Sequence, residues 1–336
     1  MAKTYLGIDI GHDRLKLALV SGGQVKKSAV VALPEKLVRD GRVVSIETMG
    51  ELIRTTMKEN GIRAQQAAMV LAGPNVYIRN VTMPRMTADQ LVFNLPYEFR
   101  DYITDELKNY VFDYAMISTP EQLNSEENGE AVPAMDLTAV AVPKDLLEDC
   151  RAMVRKAGLR LAKAAPAVCS YTGLIRSLQK NGDQPDREYC ILDLGHQAVR
   201  MHMFRGDCNT ITRQLEFGLA SIDQAIAEAN NVDIHLAHTY LLTNHENCQN
   251  SPECLNAFSG IGVELMRALN FYRFSNPDSQ LSDVWLCGGG AAIPALKEAI
   301  ISTLSEMQVH TAAELLPGEG VEQDYMLVQA IGAALD

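Results

Sequence analysis

The sequence predicts an α/β protein of two lobes, each built on a mixed sheet. Three observations carry this reading. The chain opens on a meander of strands that gives way to alternating helices and strands, the opening pattern returns half a chain later, and 336 residues exceed what one hydrophobic core usually organises.

The first strands read Tyr5-Leu-Gly-Ile-Asp-Ile10 and Leu15-Lys-Leu-Ala-Leu-Val20, joined by the turn Gly11-His-Asp-Arg14; Gly22-Gly23 then turns the chain towards a third strand near 28–33. A helix over 46–60, stopped by Gly61, and a buried strand Ala67-Ala-Met-Val-Leu-Ala72 follow. Strands that meander and then alternate with helices imply a mixed sheet covered on its faces. Residues 84–143 read as an inserted subdomain. Thr87-x-x-Gln90 is a capping box before a helix with Leu91, Leu95 and Phe99 on one face, and Pro96 should break that helix. Strands at 110–118 and 137–142 flank an acidic polar loop, which suits a hairpin, and the acidic run 121–130 reads as solvated. An amphipathic helix over 144–157 turns Leu146, Leu147, Cys150, Met153 and Val154 inward and ends at Gly158. The first lobe therefore spans 1–178.

A polar linker, 179–187, precedes Glu188-Tyr-Cys-Ile-Leu-Asp-Leu-Gly195, which repeats the opening order of strand, Asp, apolar residue, Gly and turn. The second lobe spans 188–322. It contains a meander to about 217, a helical subdomain of about 221–276 with helices at 221–230, 235–243 and 255–274, a strand at 284–287 and a helix at 294–307. A terminal helix within 323–336 is expected near the hinge.

The net charge of -12, with Lys+Arg only 30, gives no basic field for nucleic acid, and an anionic membrane surface would repel the average surface. No export signal is recognisable at the start, and no run of about 18 uninterrupted apolar residues could span a bilayer. A cytoplasmic protein without direct membrane insertion is expected, recruited to the inner face of the membrane by a partner. Cys150, Cys169, Cys190, Cys208 and Cys287 stand singly among apolar residues, as reduced thiols used as small hydrophobes would.

Asp9-Ile10-Gly11 and Asp193-Leu194-Gly195 each close a buried strand and open a tight turn. A cleft between two related sheets would bring them face to face. Such turns present N–H groups to anionic oxygens, and an Asp at a strand end can hold Mg²⁺ through its water shell. Lys16 adds a point charge for a phosphate. Gly288, Gly289 and Gly290, between a strand and a helix start, would let a flat base or ribose approach the backbone. The plainer alternative is that these glycines only turn the chain and these aspartates only cap strands.

Gly7-Ile-Asp-Ile-Gly11 with Lys16, Asp193-Leu-Gly195 and Gly288-Gly-Gly-Ala291 resemble the two phosphate motifs and the adenosine motif of the superfamily of actin, heat-shock chaperones and sugar kinases. Met83-Pro-Arg-Met-Thr-Ala-Asp-Gln90, Tyr97-Glu98 and Phe112-Asp113-Tyr114 are similar to the inserted subdomain of the PilM and FtsA families. Glu264-Leu-Met-Arg267 with Asn270-Phe-Tyr272 resembles a helix of the PilM family. The resemblance runs from Tyr5 to Leu335. It implies an actin-like (ribonuclease H-like) fold and a type IV pilus assembly scaffold whose partner is the N-terminal cytoplasmic tail of a PilN-like membrane protein, with self-association as a further option. It also implies ATP and Mg as cofactors, bound by Asp9, Gly11, His12, Lys16, Asp193, Gly195, His196, Gly288, Gly289 and Gly290, with water-mediated Mg at Asp9 and Asp193.

The departures from the family pattern matter as much. His12 replaces a Ser, His196 and Val199 replace a small residue and a Thr of the second phosphate loop, and the return strand 162–166 lacks the expected acid. Ala237-His-Thr-Tyr-Leu241 stands where Ala-Glu-x-x-Lys is usual. Binding of ATP with weak or absent hydrolysis is therefore expected, and no catalytic residue is assigned. An FtsA-like division protein would carry a basic amphipathic helix after the final one, and a small-molecule kinase would need a catalytic Asp at 162–166. His235, His238, His245, Cys248 and Cys254 gather soft ligands within one stretch, but their spacing fits no standard zinc pattern; a helix with exposed histidines and a polar loop is the expectation.

Overall fold

The computed structural model describes residues 3–39, 41–72, 76–117, 134–215, 217–317 and 324–335. The chain divides into two compact units, Met1–Gly22 with Lys26–Ser170, and Gly23–Val25 with Tyr171–Asp336.

The first unit begins with the expected meander, β1 (Thr4–Ile10), β2 (Arg14–Ser21) and β3 (Gln24–Ala32), then a short pair, β4 (Val38–Arg39) and β5 (Arg42–Val43). Helix α1 (Ile46–Glu59) starts at Ser45, whose hydroxyl accepts from the Thr48 N–H, and buries Met49, Ile53 and Met57 at four-residue spacing. Gly61, at φ +59°, ends it as the sequence requires. Strand β6 (Gln66–Leu71) is buried from Ala67 onward, because a strand inside a sheet covered on both faces has no wet side.

The inserted segment contains β7 (Tyr77–Pro84), α2 (Ala88–Asn94), β8 (Tyr110–Met116) and β9 (Ala134–Pro143). Both bonds of the capping box form: Gln90 N–H donates to Thr87 Oγ1 at 3.3 Å, and Thr87 N–H to Gln90 Oε1 at 2.9 Å. Pro96 lies in a 3-10 turn, Leu95–Phe99, directly after α2, so the helix breaks where proline demands. Instead of a hairpin alone, β9 is the centre of a three-stranded antiparallel sheet ordered β7-β9-β8. β7 escaped the sequence reading because only Val81 and Met83 of it are buried and it ends on a proline. These two residues join Leu91, Leu95, Phe99 and Leu137 in a separate small core. Most of the acidic loop, including 121–130, lies outside the described residues.

Helix α3 (Lys144–Lys156) packs Cys150, Met153 and Val154 onto the same core as α1, and β10 (Arg160–Pro166) completes a five-stranded sheet ordered β10-β6-β1-β2-β3. The division between units falls inside the next helix, α4 (Ala167–Lys180).

The second unit contains β11 (Glu188–Leu194), β12 (Val199–Arg205), β13 (Cys208–Gln214), α5 (Leu219–Asn230), α6 (Ile234–Thr243), α7 (Pro252–Ser275), β14 (Asp283–Cys287), α8 (Pro294–Thr303), β15 (Gln308–Thr311) and α9 (Val328–Ala334). Its sheet is ordered β13-β12-β11-β14-β15, with the same directions as the first: a central strand antiparallel to one neighbour and parallel to the other. The repeat seen in one motif thus extends to a whole sheet. Helix α8 stops at Thr303, short of the expected 307, and the four residues of β15 are too few to show a period in sequence. Helix α9 crosses α4 closely, since a Cβ on Gly173 would lie 2.6 Å from the Gly332 carbonyl oxygen. Among the described residues, no helix is long and apolar enough to cross a membrane.

Candidate functional site

The first Asp-x-Gly turn is closed by the Gly11 N–H donating to the Arg14 carbonyl at 2.9 Å. The antiparallel register sets Asp9 opposite Lys16, and Lys16 Nζ donates to Asp9 Oδ2 at 2.7 Å. Asp9 is only 4% exposed, so the ammonium supplies the counter-charge that a carboxylate in this position needs. His12 is exposed at the tip. The turn therefore holds a carboxylate suited to a hydrated divalent cation and an ammonium suited to a phosphate, already engaged with each other.

The second turn keeps the register, with Asp193 opposite Arg200. Asp193 Oδ2 accepts from Gln329 Nε2 at 2.9 Å, and the same amide donates to the Tyr171 hydroxyl at 2.8 Å. Burial, helped by the nearby Asp193 charge, raises the Tyr171 phenol well above its ordinary range, so it stays a neutral hydrogen-bonding group. Gln329 was missed in sequence. Its signal was there, as a single amide inside the apolar run Met326-Leu-Val-Gln-Ala-Ile331.

The three glycines divide by environment. Gly288 has φ +83°, and a Cβ there would lie 2.6 Å from Asp193 Oδ1; one on Gly290 would lie 2.8 Å from Leu194 Cβ. Both are accounted for by the close docking of this turn on the end of β11. A Cβ on Gly289 would meet nothing nearer than Leu219 Cδ1 at 3.9 Å, an ordinary contact, so this is the one of the three that tolerates a side-chain carbon. At Gly195, a Cβ would lie 2.7 Å from the Ala198 carbonyl oxygen, which makes the second turn sterically tight.

His196, beside Gly195, meets two residues of the helical segment. His238 Nδ1 lies 2.8 Å from Asp223 Oδ2, and His196 Nδ1 lies 3.6 Å from the same oxygen. The histidine-cysteine stretch does not assemble: His235 is exposed, His245 stacks on Tyr240, and Cys248 donates to the Tyr240 carbonyl. Burial pushes the Cys248 thiol up to about 11. Only His238 of that stretch belongs to the cluster with potential metal ligands found among the described residues.

The first unit also carries a groove of about 380 Å³. One wall is a face of the inserted sheet, with Val111, Asp113 and Ala115 of β8 and Val140 and Val142 of β9; the other is β10, from Leu161 to Pro166. Each wall contains the outer strand of its sheet, β8 or β10.

A sequence profile of the family described as "Type IV pilus assembly protein PilM" matches residues 7–329. The chain belongs to the PilM family. No match was found among curated proteins. Among solved structures, a PilM-PilN type IV pilus biogenesis complex is similar at TM-score 0.81 and 21% identity, covering 98% of this chain and 97% of that one. The ethanolamine utilization protein EutJ from Carboxydothermus hydrogenoformans is similar at TM-score 0.60 and 16% identity, over 99% and 89%. MreB5 of Spiroplasma citri, solved bound to ADP, is similar at TM-score 0.50 and 12% identity, over 98% and 94%. At these identities the likeness establishes the actin-like ATPase fold, and membership of the PilM family places the chain in type IV pilus assembly. Val199 and Leu241 are both fully buried, positions that favour apolar side chains.

Proposed function

We propose that the chain is a cytoplasmic scaffold that holds the N-terminal tail of a PilN-like membrane protein, in extended form, in the groove between β10 and the inserted sheet. The observation that supports this most directly is that two outer strands line one groove. An added strand can draw backbone hydrogen bonds from such an edge while its alternate side chains enter apolar pockets. The six residues 161–166 extend over about 20 Å, enough for five or six residues of a tail. The similar PilM-PilN complex makes a PilN-type partner the first to try.

The test is calorimetry with a synthetic tail peptide against Ala115→Trp and Ala162→Trp, which put bulk into opposite walls from exposed positions. Both should weaken binding at least tenfold with an unchanged circular dichroism spectrum. Unchanged affinity in both would refute the placement. Removing 84–143 is a poorer test, because it would strip β7 of the strand it pairs with.

We also propose that the chain binds Mg-ATP: in the first unit the Asp9–Lys16 pair is suited to metal and phosphate, and in the second the uncrowded Gly289 is suited to a flat group. Of the remaining assigned positions, Gly11 and His12 belong to the first turn, Asp193, Gly195 and His196 to the second, and Gly288 and Gly290 to the glycine turn after β14. Hydrolysis is expected to be negligible, since β10 carries no acid to orient water. Thermal-shift titration with ATP and ADP, beside a phosphate-release assay, checks both parts. No shift with either nucleotide would leave the glycines and aspartates as purely structural.

A further inference from the structure

The second unit buries a carboxylate between two imidazoles, and neither the scaffold nor the nucleotide reading uses it. Asp223, on α5, is fully buried, and its Oδ1 has no hydrogen-bond partner among the described residues. The imidazoles that approach it there are His238 from α6 at 2.8 Å and His196 from the second turn at 3.6 Å. The imidazole rings meet edge to face with centroids 5.4 Å apart.

A carboxylate taken fully out of water requires a counter-charge. Imidazolium is one way to supply it, and a divalent cation is another. The chemistry of this donor set favours the metal: two borderline nitrogen donors and one anionic oxygen suit Zn²⁺ and its neighbours in the first transition row, not Mg²⁺ or Ca²⁺. The ligand atoms of all three side chains lie within 4.8 Å of one another. Ligands on one tetrahedral Zn²⁺ are separated by about 3.3 Å, given bonds of about 2.0 Å. Small rotations of the two rings close that difference. The exposures are graded as a three-ligand site with an open position requires: Asp223 is inaccessible, while the His196 and His238 side chains are 17% and 21% exposed. Two histidines from separate segments thus converge on one carboxylate.

We propose that His196, Asp223 and His238 form a site for a divalent transition metal of the Zn²⁺ class, with a fourth position open to solvent. The site pins the second turn to α5 and α6, and it stands without either reading given above. Cysteine takes no part: burial raises the Cys254 thiol, with the Asp223 charge acting in the same direction, so it stays protonated.

The experiment uses the full chain, dialysed against a chelator and free of nucleotide, titrated with Zn²⁺ by calorimetry and with Co²⁺ by visible absorption. One equivalent should bind, with an intense tetrahedral-type Co²⁺ spectrum. His196→Ala, His238→Gln and Asp223→Asn should each weaken binding at least 30-fold, while His235→Ala, an exposed position on the same helix as His238, should leave it unchanged. If Asp223→Asn fails to fold, the partly exposed His196 alone decides. The proposal is overturned by less than half an equivalent of metal, by a Co²⁺ spectrum that survives His196→Ala, or by displacement of Co²⁺ by equimolar Mg²⁺.

Discussion

The two five-stranded sheets share strand order and direction, yet different kinds of side chain reach their corresponding aspartates. In the first, Asp9 is neutralised by Lys16 of the neighbouring strand; in the second, Asp193 opposes Arg200 in register but is held by the amide of Gln329. The backbone frame sets where the carboxylate stands. Which side chains reach it is settled by residues supplied from elsewhere. Copies of one topology can therefore recruit different side chains without disturbing the frame.

The largest expected contrast lies one step further along the paired strands. His202 of β12 occupies the position that Ala18 occupies in β2, and burial, reinforced by nearby Arg200, lowers its pKa from 6.5 to about 3. The folded ring stays neutral while the unfolded one protonates. Stability is thus complete above pH about 6.5 and falls as the pH drops towards 3, by about 5 kcal/mol if the shift is fully expressed. The single tryptophan, Trp285 of β14, reports unfolding of the second unit. Denaturant melts between pH 7 and 4 should show the loss, and His202→Gln should flatten it. An equally steep acid arm in that variant would remove His202 as the cause.

Next in size is the steric contrast between the turns. A methyl at Gly195 would lie 2.7 Å from the Ala198 carbonyl oxygen, whereas one at Gly11 would lie 3.2 Å from that of Arg14. Gly195→Ala should cost about 2–4 kcal/mol and Gly11→Ala about 1 kcal/mol or less by chemical denaturation. Equal costs would mean that the turns are equally constrained.

The charge contrast should be smaller. Asp9→Asn removes the carboxylate that Lys16 Nζ donates to and should cost about 2 kcal/mol, while Asp193→Asn keeps an oxygen for Gln329 and should cost about 0.5 kcal/mol. Thermal melts order the two; the reverse order would show that Asp193 carries the more demanding interaction. Smallest of all, Gly289→Val should change stability by no more than about 0.5 kcal/mol, because a Cβ there meets only an ordinary contact. It should nevertheless weaken ATP binding if a flat group approaches there, and retained affinity would reject that contact.

Much of this architecture was legible because local chemistry and global fold agree. The Thr87–Gln90 cap, the break at Pro96, the stops at Gly61 and Gly158 and the four-residue spacing of Leu91, Leu95 and Phe99 each reflect forces acting within a few residues. β7 and β15 were not legible, since a half-buried edge strand and a four-residue strand acquire their identity only from the partner they pair with. The same distance rule applies to the candidate sites. Asp9 facing Lys16 follows from one tight turn. Gln329 reaching Asp193, and Asp223 receiving His196 and His238, join segments far apart in sequence, where no periodicity marks the pairing. The meeting of His196, expected in the second phosphate turn, with His238, expected as an exposed helix histidine, is not legible because it depends on how α5 and α6 pack.

The crossing of α4 and α9 at Gly173 and Gly332 sets a gauge for the second turn. Backbone touches backbone there, so the separation of the two helices is fixed by peptide atoms and not by adaptable side chains, and three residues before Gly332 the amide of Gln329 spans to Asp193. A methyl group at Gly173 would act as a shim. It would lift α9 by a fraction of its width, draw the amide out of hydrogen-bonding range and release the carboxylate at the end of β11, although neither glycine touches that carboxylate.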